Sequence, residues 1–312
     1  MNPIGEEITF RHPRREDAPA IVEMVALCDI EDHGVPDITL EDLLHMWHAI
    51  QIESDAWIAC APAGEMVGYA FVERRGETRI DTCVFVHPSH KKRGIGSALL
   101  SIAEERAAQL AAGSTVPQQL MNQLPFTNEA ARALVEARGY TFSRLYQRMK
   151  IVLSEAPQEA RFPEGLTARP FQTGKDETAL YTAYDESFRD SWGYAPVPFA
   201  EWIDQQKGER YDPSLWSIVW DGDQPAAFWM GKLQEDGLFI DLLGVRRPWR
   251  KQGIGLAMLH HAFQTAWERG ERTIMLNVDS HSLTNAQELY ARAGMHPSFQ
   301  IALYRKELTR GT

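Results

Sequence analysis

The chain has 312 residues, of which 44% are hydrophobic, and these supply enough apolar side chains for two domain-sized cores. A formal net charge of −11 argues against the phosphate-neutralising surface of a nucleic-acid-binding protein and is compatible with a cationic or amine-bearing small molecule. No segment approaches the roughly 20 consecutive apolar residues of a membrane span, and Cys28, Cys60 and Cys83 lack metal-ligand spacing, so we expect a cytoplasmic protein with free thiols and no membrane partner.

In the first half, the hydrophobic pattern predicts two helices, three strands, a longer helix and a final strand, helix and strand. A short strand is predicted near Ile8, and Asp17 is a predicted N-cap because its carboxylate can accept from the first helical N–H groups. Gly139 is predicted to end the last helix, since glycine adopts the left-handed conformation common there. The predicted helices are 17–28, 39–50, 96–110 and 128–138, and the predicted strands are 56–60, 66–73, 79–86, 118–123 and 140–152.

The second half repeats this order. A strand at 166–170 precedes a helix at 176–188, strands follow at 216–220, 225–233 and 238–245, and Leu256, Leu259, Phe263 and Ala266 then share one helical face. Residues 155–165 contain two prolines and a glycine with little periodicity, which is typical of a linker. We therefore predict a first domain at 1–154, a linker at 155–165 and a second domain at 166–312.

The most informative feature is a strand, loop and helix unit that occurs twice. Segment 86–97, VHPSHKKRGIGS, recurs as segment 245–256, VRRPWRKQGIGL, with an offset of 159 residues between Gly94 and Gly253. A repeat of a whole supersecondary unit at a domain-sized offset indicates two domains of the same architecture.

The repeated loop is basic and glycine-containing, and it connects a strand directly to a helix. Such a loop presents successive backbone N–H groups and the positive end of the helix dipole to an anion. It lacks the Gly-Lys-Ser/Thr of a Walker loop and the GxGxxG spacing of a dinucleotide fingerprint. We predict that both loops bind a phosphate-bearing ligand, and the alternative is a tight turn with solvated charges.

These motifs resemble the GNAT superfamily of acyl-CoA-dependent N-acetyltransferases, once in each half. Its members share Arg/Gln-x-x-Gly-x-Gly/Ala after the fourth strand, as at residues 250–255, and a later Asn-x-x-Ala-x-x-Leu-Tyr-x-x-x-Gly-Phe helix, much of which is matched at 286–295. Two such domains in one chain are most similar to the tandem, mycothiol synthase-like members. The resemblance implies an α/β fold with a mixed sheet flanked by helices in each domain. It also implies that strands four and five splay apart around acetyl-CoA.

The resemblance further implies a cofactor site along the strand end and the loop of each half. In the second half this site comprises Leu243, Gly244, Val245, Arg250, Lys251, Gln252, Gly253, Ile254, Gly255, Leu256, Ala257 and Asn285. In the first half it comprises Val84, Val86, Lys91, Lys92, Arg93, Gly94, Ile95, Gly96 and Ser97. Asn285 departs from the pattern, because Leu283 occupies the family's asparagine position.

Catalysis is predicted in the second half. By the resemblance, Tyr290 would give a proton to the leaving thiolate, whereas aligning Gly139 with Gly294 places Val135 at the corresponding position of the first half. The alternative for Tyr290 is a core tyrosine. The resemblance also implies that backbone N–H groups near Gly244 and Val245 bind the thioester carbonyl oxygen.

The predicted general base is Asp241, which interrupts an apolar strand where a buried carboxylate without a partner would be costly. The alternative is a structural or edge-exposed aspartate, and Asp279 and His281 are further candidates for the base. His260 and His261 have no carboxylate or cysteine at ligand spacing, so we read them as ordinary helix residues and predict no metal.

The acceptor is predicted to contact the connection between the first two helices of the second half. Its candidate residues are Asp185, Trp192, Tyr194 and Trp202, and the alternative for the aromatic ones is packing of helices onto the sheet. The sequence thus predicts an acetyl-CoA-dependent N-acetyltransferase that acts on a primary amine of a small molecule by direct transfer in a ternary complex, as a monomer or homodimer. The alternatives are a non-catalytic acyl-CoA-binding or sensing protein and an acetyltransferase acting on a protein amine.

Overall fold

The computed structural model describes residues 8–36, 38–192, 194, 196–207, 211–234, 236–280 and 286–308. The chain forms two compact units, a first unit of Met1–Leu145 with Gln300–Thr312 and a second unit of Tyr146–Phe299. Each unit is a mixed sheet flanked by helices, which confirms the predicted fold class. None of the described helices combines the length and the apolar character that a membrane crossing needs.

The element order follows the prediction closely, with short additional helices before β2 and before β8. Up to the middle of the chain the elements are β1 (Thr9–Arg11), α1 (Ala18–His33), α2 (Leu40–His48), α3 (Ile52–Asp55), β2 (Ala56–Cys60), β3 (Met66–Arg75), β4 (Arg79–Val86), α4 (Ile95–Ala111), β5 (Gln118–Pro125), α5 (Glu129–Ala137) and β6 (Thr141–Val152). They continue with β7 (Leu166–Pro170), α6 (Glu177–Phe188), α7 (Phe199–Gln205), β8 (Trp216–Asp221), β9 (Gln224–Gln234), β10 (Gly237–Val245), α8 (Ile254–Glu268), β11 (Thr273–Asp279), α9 (Ala286–Arg292) and β12 (His296–Leu308).

The two sheets have the same topology. In the first unit β1, β2, β3 and β4 are antiparallel neighbours, β4 pairs in parallel with β5, and β5 pairs antiparallel with residues 301–308 of β12. In the second unit β7, β8, β9 and β10 are antiparallel, β10 pairs in parallel with β11, and β11 pairs antiparallel with residues 146–152 of β6.

The strand that pairs with β5 and the strand that pairs with β11 therefore each come from the other half of the chain. This differs from the predicted boundaries of 1–154, 155–165 and 166–312, which assigned all of β6 to the first domain and all of β12 to the second. Local hydrophobic pattern predicts that a segment is a strand, but the partner of that strand depends on register with residues that are distant in sequence. Residues 155–165 have neither helix nor strand.

Helices cover both faces of the first sheet. Along β2, Trp57 and Ala59 join the core cluster that contains α4, whereas Ala56 and Ile58 join the cluster formed with α1 and α2. Both faces of the strand are buried, which explains why β2 reads as a continuous apolar run in the sequence.

Candidate active site

The central strands of each unit diverge. In the second unit β10 pairs in parallel with β11 only at Leu238 and Phe239, although its antiparallel pairing with β9 continues to Val245. In the first unit β4 pairs with β5 over Arg79 to Thr82, whereas its pairing with β3 continues to Val86. A wedge thus opens between the two parallel strands of each unit, as the family resemblance implies.

Backbone groups of β10 face this wedge. The Arg246 N–H donates to the Ala226 carbonyl of β9 at 3.0 Å. Along a strand, every second residue forms its backbone hydrogen bonds with the same neighbouring strand. Gly244 therefore bonds towards β9, while the backbone groups of Leu243 and Val245 point to the side that β11 has left. The same alternation from the His87 N–H to the Val67 carbonyl, at 3.0 Å, directs the backbone groups of Val84 and Val86 into the wedge of the first unit.

A β-bulge distinguishes the second unit from the first. The register of β10 against β9 shifts between Ile240 and Leu242, so Asp241 is an extra residue with no partner across the strand pair. The corresponding pairing of β4 with β3 is continuous from Arg79 to Val86. A bulge bends a strand and re-aims a side chain, and here the Asp241 carboxylate is exposed, with its Oδ1 3.4 Å from the Lys232 ammonium.

The two repeated loops are conformational copies. Lys92 and Lys251 have φ of 63° and 62°. In the described part of the chain, they are the two residues other than glycine that have a positive φ. Gly94 and Gly253 both have φ of 82°, and each begins its helix as an N-cap without a side-chain hydrogen bond. The N-cap residues Gly94 and Gly253 therefore provide no side-chain acceptor for the first N–H groups of α4 and α8, and successive N–H groups in such a left-handed loop can form a concave surface that suits an anion.

The first basic residue of each loop braces the loop. The Arg250 guanidinium donates to the carbonyls of Val245 and Ser187, each at 3.0 Å, and lies 3.4 Å from the Asp190 carboxylate. Lys91 forms an ion pair with Glu31 of α1 in the first unit. In the rest of the loops Lys92, Arg93, Lys251 and Gln252 are exposed. Arg250 and Lys91 thus hold the loop against the first helix of their unit, which the sequence did not indicate.

The ion pairs between the end of α6 and the loop after β10 were not predicted from the sequence. Arg246 pairs with Glu186 at 2.7 Å, and Arg247 pairs with Asp190. The sequence feature that could have indicated these pairs is the spacing of Glu186 and Asp190, which are four residues apart, as neighbours on a helix would be. Together with Arg250, these pairs fix the end of β10 to the first helix of the second unit.

The second glycine of the loop allows two helices to approach. A Cβ on Gly255 would lie 2.9 Å from Leu289 Cδ2 of α9, whereas on Gly96 it would lie 3.4 Å from Val86 Cγ2. Close packing of α9 on α8 fixes the helix that carries Tyr290, and Tyr290 lies in the core cluster of the second unit. The side chains next to these glycines make contacts within the protein. Ile95, Ile254 and Ala257 are buried, and Leu256 packs on the core. Ser97 accepts a hydrogen bond from Arg138 at 2.9 Å.

Tyr290 and Val135 are equivalent positions in the structure. The Met295 N–H donates to the Tyr290 carbonyl at 3.0 Å, the Tyr140 N–H donates to the Val135 carbonyl at 3.1 Å, and a left-handed glycine precedes each donor. Tyr290 is 8% exposed, and burial raises the pKa of its hydroxyl to about 12. Among the described residues, no hydrogen-bond partner of this hydroxyl is found.

The predicted acceptor residues occupy different environments. Tyr194 and Arg189 donate to the Asp185 carboxylate, and these hydrogen bonds lower its pKa. Trp192 is 39% exposed, whereas Trp202 is 1% exposed and packs on Tyr181 and Tyr184, so Trp202 is a core residue.

Of the remaining predicted residues, the structure describes Asp279 and the two histidines of α8. Asp279 ends β11, and His281, Leu283 and Asn285 lie outside the described residues. His261 accepts from the Trp229 indole N–H at 3.1 Å, and burial lowers its pKa. In the described ranges no cluster of three or more histidine, cysteine or carboxylate side chains suits a metal ion.

Comparisons with known proteins agree with this geometry. The profile described as Acetyltransferase (GNAT) family matches residues 178–295, and the one described as Acetyltransferase (GNAT) domain matches residues 53–142. A GCN5-related N-acetyltransferase of known crystal structure from Sphaerobacter thermophilus is 34% identical, with a TM-score of 0.84 over 98% of this chain and 97% of its own. The chain therefore belongs to the GNAT family of N-acetyltransferases and carries two GNAT domains in tandem. Enzymes of this family use acetyl-CoA as the acetyl donor.

More distant relatives align with most of the chain. Mycothiol acetyltransferases from Streptomyces scabiei and Cellulomonas flavigena are each 28% identical to this chain, covering 78% and 88% of it and 77% and 83% of their own lengths. A tandem GNAT protein from the clavulanic acid biosynthesis pathway has a TM-score of 0.74 over 98% of this chain and 100% of its own. At 13% identity it shows that the fold is shared.

Proposed function

We propose that the second unit transfers the acetyl group of acetyl-CoA to a primary amine of a small molecule, by direct transfer in a ternary complex. One observation carries this proposal: the second unit combines the wedge and the loop with the bulged Asp241 and with Tyr290, whereas the first unit has the wedge and the loop but neither of those side chains. The first unit then has a structural role or keeps a cofactor site that it does not use for catalysis.

The residues present suit acetyl-CoA. Left-handed Gly253 and the uncapped start of α8 would hold the pyrophosphate, and the wedge-facing backbone of Leu243 and Val245 would hydrogen-bond the pantetheine amides. Ser187 Oγ, next to Gly244, is buried and has no hydrogen-bond partner among the residues that the structure describes, so its hydroxyl could bind a polar group of the cofactor. When bound, acetyl-CoA supplies an activated acetyl group as a thioester.

The protein side chains would then manage two protons. Asp241, re-aimed by the bulge, would take a proton from the acceptor ammonium, and Tyr290 would give one to the departing thiolate. Because the pKa of Tyr290 is about 12, its hydroxyl keeps its proton throughout the neutral range. Each such proton transfer typically contributes about 10²- to 10⁴-fold to the rate.

The small-molecule class of the acceptor is supported by the relatives. Proteins described as mycothiol acetyltransferases align over most of this chain at 28% identity. That identity supports the class of acceptor and not the particular compound.

Titration of acetyl-CoA into the intact protein, followed by an assay of thiol release with a panel of primary amines, tests the proposal. We expect saturable binding and a release of free CoA thiol that depends on an amine. Binding without amine-dependent release would favour an acyl-CoA sensor. Absence of binding by the folded protein would contradict both functions.

Replacement of Asp241 by Asn should lower turnover about 100-fold, because a neutral amide cannot take the proton of the acceptor amine. The loss should be largest at low pH, where the acceptor is held as an ammonium. Turnover measured across pH checks this, with Asp279→Asn as the matched control at the end of β11. An unchanged pH profile in Asp241→Asn, or an equal loss in Asp279→Asn, would remove Asp241 from the mechanism.

A further inference from the structure

We infer that the acceptor is an amino acid, or an amine of the same type, whose carboxylate lies close to its amino group. The inference rests on the proposed function, because it takes Asp241 as the residue that meets the acceptor amine. It comes from Lys232, which lies beside Asp241 and Phe239 of β10, and from Arg148, which lies beside Phe239.

Lys232 and Arg148 flank the Phe239 ring. The Lys232 ammonium lies 5.6 Å from the ring centroid, and the Arg148 guanidinium carbon lies 5.5 Å from it. Cross-strand register places these side chains on one face of the sheet, since Phe239 is opposite Lys232 on β9 and opposite Met275 on β11. Two residues further along β11, Asn277 is opposite Arg148 on β6 and accepts from its guanidinium at 3.2 Å.

The pair of opposite charges at this position matches a zwitterion. Lys232 Nζ is 3.4 Å from Asp241 Oδ1, and both side chains are open to solvent, at 35% and 42% exposure. An acceptor ammonium can approach Asp241 while the neighbouring carboxylate of the same molecule meets Lys232, with Arg148 adding positive potential. An amine without an anionic group would bring a second cation to the Asp241 carboxylate, which Lys232 already neutralises. Repulsion between that amine and Lys232 would disfavour its binding.

The position of the first unit that corresponds to Lys232 carries an acidic side chain. Counted from the hairpin turn, the third cross-strand pair is Lys232 with Phe239 in the second unit and Glu73 with Asp81 in the first. Glu73 is paired with Arg75 at 2.8 Å, and Asp81 with Arg79. The exposed cation beside Asp241 is therefore a property of the second unit and not of the fold.

Matched acceptor series test the inference. The kcat/KM of the intact protein is measured for each of the twenty amino acids, for the corresponding α-carboxamide and for the corresponding decarboxylated amine. We expect at least one amino acid to exceed its carboxamide by about tenfold or more, as one charge-assisted hydrogen bond would give. Lys232→Met should reduce this ratio to about one, and Lys232→Arg should keep it.

The ratio of acid to carboxamide is insensitive to a general loss of activity, because both acceptors are measured on the same variant. Lys175→Met removes a lysine elsewhere in the second unit and should leave the ratio unchanged. Acetyl-CoA binding together with transfer only to amines that lack a carboxylate, or with transfer to no amino acid, overturns this inference alone. Failure to bind acetyl-CoA would instead overturn the proposed function on which it rests.

Discussion

The Tyr290→Phe variant should transfer acetyl groups about 100-fold or more slowly than the intact protein while binding acetyl-CoA with the same affinity. The change removes the proton that the departing thiolate would receive, and it keeps the aromatic ring that packs in the core of the second unit. Because the pKa of the hydroxyl is about 12, turnover should show no alkaline decline from Tyr290 until the pH approaches that value. Single-turnover kinetics and calorimetric titration separate the two effects.

Tyr140→Phe provides the matched control. Tyr140 is also a buried tyrosine, and it lies in the first unit at the position that corresponds to Met295. The Tyr140→Phe variant loses one phenolic hydroxyl and should transfer acetyl groups at the same rate as the intact protein. Equal rates in Tyr290→Phe and the intact protein would show that Tyr290 is a core residue and that the thiolate obtains its proton elsewhere.

The Gly253→Glu variant should lose acetyl-CoA binding at the second unit, and transfer should stop. A carboxylate about 4 Å from a phosphate is repelled by about 4 kcal/mol at an effective dielectric constant of about 20. That repulsion corresponds to a loss of affinity well above 100-fold. Titration of acetyl-CoA and thiol release with the preferred amine measure the two losses.

Gly94→Glu is a closely matched control because the two glycines have the same φ of 82° in loops of the same conformation. A side chain in the left-handed region costs about 1–2 kcal/mol at either position, so backbone strain is equal in the two variants. Gly253→Ala adds that strain without the charge and should keep most of the binding. If Gly94→Glu stopped transfer and Gly253→Glu did not, the working site would lie in the first unit.

The local parts of the candidate site could be predicted from the sequence because they depend on short segments. The loop at 250–255 combines a positive-φ position and a helix start within six residues, and Gly253 is needed there for its backbone conformation. The alignment of Val135 with Tyr290 also depended on a local feature, the glycine that ends each helix. The structure gives both residues the same backbone hydrogen bond from the residue after that glycine.

Features that depend on distant partners were not accessible. The bulge at Asp241 exists only in relation to β9, and alternation along β10 alone gives no sign of a register shift. The sequence of the loop gave no sign that Arg250 donates to the Ser187 carbonyl at the end of α6, because α6 is distant in sequence. Trp202 resembles a residue of an aromatic binding surface until α6 covers it.

The exchange of β6 and β12 has a consequence for synthesis of the protein. Residues 301–308 pair with β5 but are synthesised long after it, so β5 keeps an open strand edge until β12 has been made. A nascent chain that ends within the linker at 155–165 holds β6, whose residues 146–152 belong to the second sheet, and lacks β12 altogether. The first unit is consequently completed only after the second half has been made, and the linker is not a point at which the chain can be divided into two self-sufficient pieces.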